Sequence, residues 1–179
     1  MKINKKSADS IVSVVPLRLK AYRGSARRDE IQPLPPHYIS GFVDGEGCFA
    51  ISICKHNTCR YKKEVRLEFE IELREDDRQI LQRIQKTLGC GRIYVLNYPR
   101  YRWQPHVKFK VSTLEELDKK VIPFFQKYPL QAKKRKVFEI FCQAVILKKQ
   151  KIHLQKKGLL IFCNLQKKIR KFGKKLDNR

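Results

Sequence analysis

Between Glu64 and Leu73 the chain alternates without a break. Val65, Leu67, Phe69, Ile71 and Leu73 are apolar, whereas Glu64, Arg66, Glu68, Glu70 and Glu72 are charged. Side chains along a strand point to opposite faces in turn, so this pattern dictates a strand buried on one side and charged on the other. Such a strand needs a sheet covered on one face and open on the other. Neighbouring segments supply the partners. Phe49, Ile51 and Ile53 alternate with Ala50, Ser52 and Cys54, and a polar turn around His56-Asn57-Thr58 joins them to the long strand. Arg92–Leu96 and His106–Ser112 read as two more strands, the second alternating Val107, Phe109 and Val111 with His106, Lys108 and Lys110.

Helical periods fill the intervals. A short helix is expected over His37–Asp44, opened by Pro35-Pro36 and closed in Gly45-Glu46-Gly47, where glycine permits a left-handed exit. Asp76 or Asp77 caps a second helix with the stripe Ile80, Leu81, Ile84 and Leu88, ended by Gly89. Thr113 caps a third (Leu114, Leu117, Val121), and a fourth runs from about Ala132 to Lys149 on Val137, Ile140, Phe141, Ala144 and Val145. The order helix, two strands, helix, two strands, helices predicts an α+β layer: four antiparallel strands with helices on one face. Three regions follow: a basic N-terminal arm (1–33), a core (34–149) and a basic C-terminal helical extension (150–179). Leu159, Leu160 and Phe162 of that extension are expected to pack back onto the core.

Charge narrows the function. Lys and Arg number 41 against 17 Asp and Glu, a formal net charge of +24, and a field that positive favours a polyanionic partner. No apolar run approaches the roughly 18 residues of a membrane span, so a membrane role is not expected. The six cysteines (Cys48, Cys54, Cys59, Cys90, Cys142 and Cys163) form no Cys-x-x-Cys pair. They read as reduced thiols of an intracellular protein, in a bacterial cytoplasm or an organelle.

The segment Tyr38-Ile39-Ser40-Gly41-Phe42-Val43-Asp44-Gly45-Glu46-Gly47 carries the chemistry. Its small residues, Ser40 and Gly41, suit close helix–helix contact. Two acids follow at the helix C-terminus, where the helix dipole disfavours negative charge and a compensating cation is called for. Residues Ile39–Gly47 resemble the motif of the LAGLIDADG homing endonucleases, and the strand and helix order after them is also that family's, over roughly residues 37–149. The resemblance implies the family's αββαββα core, with a saddle-shaped sheet lying along the major groove of DNA. One copy of the motif implies a homodimer of the single-motif type.

Further roles follow from the resemblance. Glu46 would be the metal ligand and catalytic carboxylate, and the Gly45 carbonyl would help to coordinate. Ile39, Ser40, Gly41, Val43 and Asp44 would form the dimer face, with Asp44 fixing the helix end. A basic residue near the start of the post-sheet helix would assist, best matched by Lys133 with Lys134 close behind. Two or three Mg²⁺ per dimer would be used, with Mn²⁺ substituting and Ca²⁺ supporting binding only. The reaction would be a double-strand break in a long, near-palindromic site, leaving 3′ overhangs. The chain departs from the family at Leu73 and Asp77, where polar and basic residues are usual.

Outward positions nominated for DNA contact are Ser52, Cys54, His56, Glu64, Arg66, Glu68, Glu70, Arg92, Tyr94, His106, Lys108 and Lys110. Arg100 and Arg102 join them from the hairpin tip. Of the four carboxylates facing a polyanion, several are expected to pair with Lys108, Lys110 or Arg92 on the sheet or to sit beyond the groove. The C-terminal lysines, among them Lys148, Lys149, Lys156, Lys157, Lys167, Lys168 and Lys171, are candidates for phosphate contact. Two alternatives stand beside the nuclease: an RNA-binding maturase acting on its host intron, and a DNA-binding relative that no longer cuts.

Overall fold

The computed structural model describes residues 31–97 and 105–174. Element order is α1 (Pro36–Glu46), β1 (Gly47–Lys55), β2 (Lys63–Arg74), a 3₁₀ turn (Glu75–Asp77), α2 (Arg78–Leu88), β3 (Arg92–Leu96) and β4 (His106–Val111). Then come α3 (Leu114–Glu116), a π-helical turn (Leu117–Val121), α4 (Ile122–Lys127), α5 (Lys134–Lys149), a 3₁₀ turn (Ile152–Leu154) and α6 (Lys156–Lys174). The four strands form one antiparallel sheet in the order β1-β2-β4-β3. The α+β class, with the expected core order, is thus the one found; β2 and β4 are the inner strands and β2 is the longest.

The alternation of β2 does what it promised. Val65, Leu67, Phe69 and Ile71 are buried, and their charged neighbours are not. Phe49 of β1 stacks on Phe69 with ring centroids 4.9 Å apart, and Phe125, Phe138 and Phe141 close over them from the helical layer. α5 buries Phe138, Phe141, Ala144 and Val145, so its stripe is turned slightly from the expected one, with Val137 and Ile140 only half-buried. Two helix starts also differ. Neither Asp77 nor Thr113 caps a helix by its side chain; the segment Glu75–Asp77 is a 3₁₀ turn, and Thr113 Oγ1 instead donates to the Glu116 carboxylate at 2.6 Å. Gly89 does end α2 in the left-handed conformation, at φ 63°.

α6 is part of the body rather than an appendage. Phe162 is fully buried and Leu159 and Leu165 nearly so, whereas Leu160 is 62% exposed, against expectation. Gln166 Nε2 donates to the Ile51 carbonyl at 2.8 Å, so α6 covers the β1 edge and satisfies a group an open edge would leave bare. Lys148 likewise donates to the Val65 carbonyl at 2.7 Å, on the stretch of β2 that β4 does not reach. The compact unit begins at Ile31. Most of the arm expected over 1–33 lies outside the described residues, as do Arg100 and Arg102.

Candidate active site and nucleic-acid interface

α1 presents two faces. Ile39 and Val43, one turn apart, are fully buried in the protomer's own core, and Ser40 is buried with its hydroxyl donating to the Tyr128 carbonyl at 2.7 Å. These three, expected from the sequence to face a partner, are thus packed against the protomer's own core, as an apolar pair at i and i+4 is when it faces its own subunit. The opposite side of α1 exposes Tyr38, Gly41 and Gly45, with Phe42 half-buried and stacked on Tyr38. A Cβ added at Gly41 or Gly45 would meet nothing within 4 Å. This side, small and partly aromatic, is where another helix can approach closely.

At its C-terminus α1 runs through Glu46 and leaves directly into β1. The left-handed exit expected there is absent, since Gly47 is extended at φ −75°. Glycine is needed at 47 for a different reason: a Cβ would lie 2.6 Å from Val43 Cγ1 and 3.0 Å from the Val43 carbonyl. Asp44 Oδ2 accepts from the backbone N–H of Gln131 (2.7 Å) and of Ala132 (3.2 Å), tying the helix end to the loop before α5. Its Oδ1 is buried without a partner. Glu46, next but one, is exposed and makes no hydrogen bond or ion pair among the described residues.

The compensating cation at this helix end comes from the chain itself. Lys134 Nζ donates to the carbonyls of Val43 (2.9 Å) and Gly45 (3.1 Å), where the C-terminal dipole is negative. Burial pushes its ammonium below the usual lysine range, and the nearby Cys48, Asp44 and Glu46 only partly offset this. Lys133, nominated from the sequence, is exposed and lies outside this contact. Asp44, Gly45, Cys48 and both Lys133 and Lys134 line one cleft of about 740 Å³ with Phe49, Val137, Ile169 and Phe172. No sequence signal pointed to that apolar wall, because α6 meets the motif only in three dimensions.

The donors here suit a hard divalent cation: the free Glu46 carboxylate and the Gly45 carbonyl are both oxygen ligands. They are too few to enclose one, and no group of three His, Cys, Asp or Glu comes together among the described residues. His37 packs edge-on against Tyr128, and His106 sits on the sheet beside Glu72.

The sheet's outward face carries the nominated side chains. Ser52 stands opposite Arg66 and Cys54 opposite Glu64, while Glu70, Lys110 and Arg92 fall in one row across β2, β4 and β3. Lys108 bridges Glu70 (3.2 Å) and Glu72 (3.0 Å), and Lys110 bridges Glu68 (2.5 Å) and Glu70 (3.4 Å), the pairing expected of both lysines. Arg92 takes no ion pair among the described residues, and Arg66 pairs with Glu64 at 2.9 Å. His56 lies in the β1–β2 turn, its Nδ1 bonded to Thr58 Oγ1 at 3.0 Å. Exposed Tyr94 sits beside Lys108 in the β3–β4 register. Of the basic C-terminal candidates, Lys148 is used internally and Lys149 pairs with Asp118 (2.6 Å), while Lys156, Lys157, Lys167, Lys168 and Lys171 are exposed.

Comparison with known proteins bears on this geometry. A probable intron-encoded endonuclease of Neurospora crassa is 35% identical over 127 residues, covering 70% of this chain and 27% of its own length. An uncharacterized protein in ND4 intron 1 of Podospora anserina is 33% identical over 128 residues, with the same coverage. The chain thus spans about a quarter of the length of these relatives. Among solved structures, the homing endonuclease I-TnaI superposes with a TM-score of 0.70 at 28% identity, covering 82% of this chain and 98% of its own. The I-LtrWI LAGLIDADG homing endonuclease bound to target DNA gives 0.70 at 31%, covering 80% and 47%. The family model for the LAGLIDADG endonuclease matches residues 39–145, from the motif helix through the sheet to α5, and the chain belongs to that family.

Proposed function

We propose that this protein is a site-specific DNA endonuclease that works as a homodimer and uses Mg²⁺ to make a double-strand break. The observation that carries the reading is the arrangement at the end of α1. Glu46 is exposed and makes no hydrogen bond or ion pair among the described residues, while Asp44 and Lys134 hold the backbone on either side of it. A side chain kept unpaired beside an organised backbone is poised for a ligand.

Each part of the chain has a role in this scheme. The open face of α1, Tyr38, Gly41, Phe42 and Gly45, packs against its copy and brings two Glu46 carboxylates together. Like charges so placed are unstable without a cation between them. Glu46 and the Gly45 carbonyl would hold Mg²⁺, which when bound would supply activation of water and stabilisation of the departing oxygen. Lys134 keeps the Gly45 carbonyl aimed and adds positive charge beside the scissile phosphate. Asp44 fixes the angle between α1 and α5. The sheet lies in the major groove, and exposed α6 lysines touch phosphates. The intron-encoded fungal relatives favour an organelle over a bacterial cytoplasm, and among the described residues no helix is long and apolar enough to cross a membrane.

The test is incubation of the full chain with a random-sequence duplex pool in Mg²⁺, Ca²⁺ or EDTA, followed by sequencing of new ends. Defined ends with short 3′ overhangs in Mg²⁺ alone support the reading. Tight binding without cutting in any metal contradicts it and moves the search to structured intron RNA.

A further inference from the structure

The outward positions of β2, β3 and β4 carry five Lys or Arg (Arg66, Arg74, Arg92, Lys108, Lys110) and four Glu (Glu64, Glu68, Glu70, Glu72). Over these described strand positions the face is therefore close to neutral in a chain of net charge +24. Attraction to a polyanion comes mainly from elsewhere in the molecule. The acids are also concentrated on the inner strand β2, where they cannot turn away from a docked ligand.

Those acids form a ladder. Glu68, Lys110, Glu70, Lys108 and Glu72 alternate across β2 and β4, each lysine held by two carboxylates at 2.5–3.4 Å. The side chains of Glu68 and Glu70 are only 17% and 18% exposed, so salt screens the ladder less than an ordinary surface pair. Burial opposes charge on Lys108, but its bonds to Glu72 and Glu70 outweigh that and hold the ammonium above its ordinary range; Lys110 behaves likewise with Glu68. In the free protein both lysines are thus committed to protein carboxylates.

Duplex DNA changes the accounts of these groups unequally. A lysine that swings to a phosphate or to guanine leaves a carboxylate facing the groove, and an ionised carboxylate only accepts hydrogen bonds. In the major groove the donors available are the amino groups of cytosine and adenine, whereas guanine and thymine edges opposite β2 present acceptors. A wrong sequence therefore meets unpaired negative charge, which penalises it.

We propose that the Glu68–Glu70–Glu72 ladder is a specificity device, which weakens binding to non-target DNA and requires cytosine or adenine amino groups opposite β2. The proposal rests on the reading of the sheet as a DNA-binding face. It assigns the glutamates a role in rejecting sequences rather than in holding DNA.

The experiment compares wild type, Glu70→Gln and the charge control Glu115→Gln, whose site on α3 lies away from the outward face. Binding is measured against salt for a random-sequence duplex and for the tightest duplex selected by wild type from a random pool. Glu70→Gln is expected to tighten random-duplex binding by about tenfold and to steepen its log–log salt slope by about one. Binding of the selected duplex should gain less, so discrimination falls several-fold, while Glu115→Gln leaves discrimination unchanged. Equal gains on both duplexes, no gain on either, or the same effect from Glu115→Gln would overturn the proposal. Failure of wild type to bind any duplex at low salt is a different result: it refutes the DNA reading itself and the ladder's role with it.

Discussion

The proposed function gives two carboxylates, two residues apart in the motif, opposite jobs, and stability measurements separate them. Asp44 Oδ2 accepts two backbone N–H groups from the loop before α5, at 2.7 and 3.2 Å, whereas Glu46 makes no such bond among the described residues. Replacing Asp44 by Ala leaves both donors without their charged acceptor. A hydrogen bond to a charged group contributes about 1.5–3 kcal/mol. Both donors sit near solvent and regain water, so the pair together should cost about 2 kcal/mol. For a domain of this size that lowers Tm by about 4–8 °C. Asp44→Asn keeps an oxygen acceptor and should lose about half as much. Glu46→Ala removes no internal bond and should stay within about 0.5 kcal/mol of wild type. Thermal and urea unfolding at one fixed protein concentration measure this, since the proposed dimer would make Tm concentration-dependent. An Asp44→Ala protein melting within 1 °C of wild type, or a Glu46→Ala protein destabilised equally, would refute the assignment of Asp44 to structure and Glu46 to chemistry.

Lys134→Met should lower the cleavage rate by roughly a hundredfold or more, the scale of a lost electrostatic stabiliser, whereas exposed Lys133→Met should change it less than threefold; single-turnover rates on a cleaved duplex decide, and equal effects would restore Lys133 as the active lysine. Gly41→Leu meets open space within the protomer, so the variant should fold yet sediment as a monomer; a stable dimer would place the interface elsewhere. Burial pushes the Cys90 thiol up to about 11, so the folded state holds its proton where the unfolded chain loses it. Burial pushes the Cys142 thiol up as well, to about 12, so stability should be unaffected by either thiol below pH 9 and fall between 9 and about 11 by up to about 1.4 kcal/mol per pH unit for each of the two. Cys90→Ala should remove about half of that slope and leave the Cys142 part, and an unchanged slope in urea titrations would refute the contribution of Cys90.

The fold was largely written in local patterns. A period of two over residues 64–73 with all charges on one side admits little besides a half-covered strand, and the Phe and Val positions of β4 repeat the message. What the chain could not disclose locally is rotation about an axis. The motif's apolar residues Ile39 and Val43 look equally ready to face a partner or the protomer's core; only the phenylalanine-rich layer beneath them, assembled from β1, β2, α4 and α5, settles it. The same holds for Lys133 and Lys134. Adjacent residues on a helix differ by about 100°, and the choice depends on where α1 ends relative to α5. The helix starts at Asp77 and Thr113 carry no side-chain cap, because Asp77 lies in a Glu-Asp-Asp 3₁₀ turn and the Thr113 hydroxyl is taken by the Glu116 carboxylate. The α6 wall of the cleft, Ile169 and Phe172, is joined to the motif by more than a hundred residues of intervening chain.

The central claim is that Glu46 holds the metal that cuts DNA, and one comparison tests it directly. Wild type and Glu46→Gln are assayed side by side for binding to a duplex that wild type cleaves, in Ca²⁺, and for cutting it, in Mg²⁺. The account predicts that the glutamine variant binds within a few-fold of wild type, or more tightly as repulsion at the two-fold axis is relieved, and cuts at least about a thousandfold more slowly. Cleavage by Glu46→Gln at a rate close to wild type would contradict it, because a neutral amide cannot replace the carboxylate on which the whole arrangement converges.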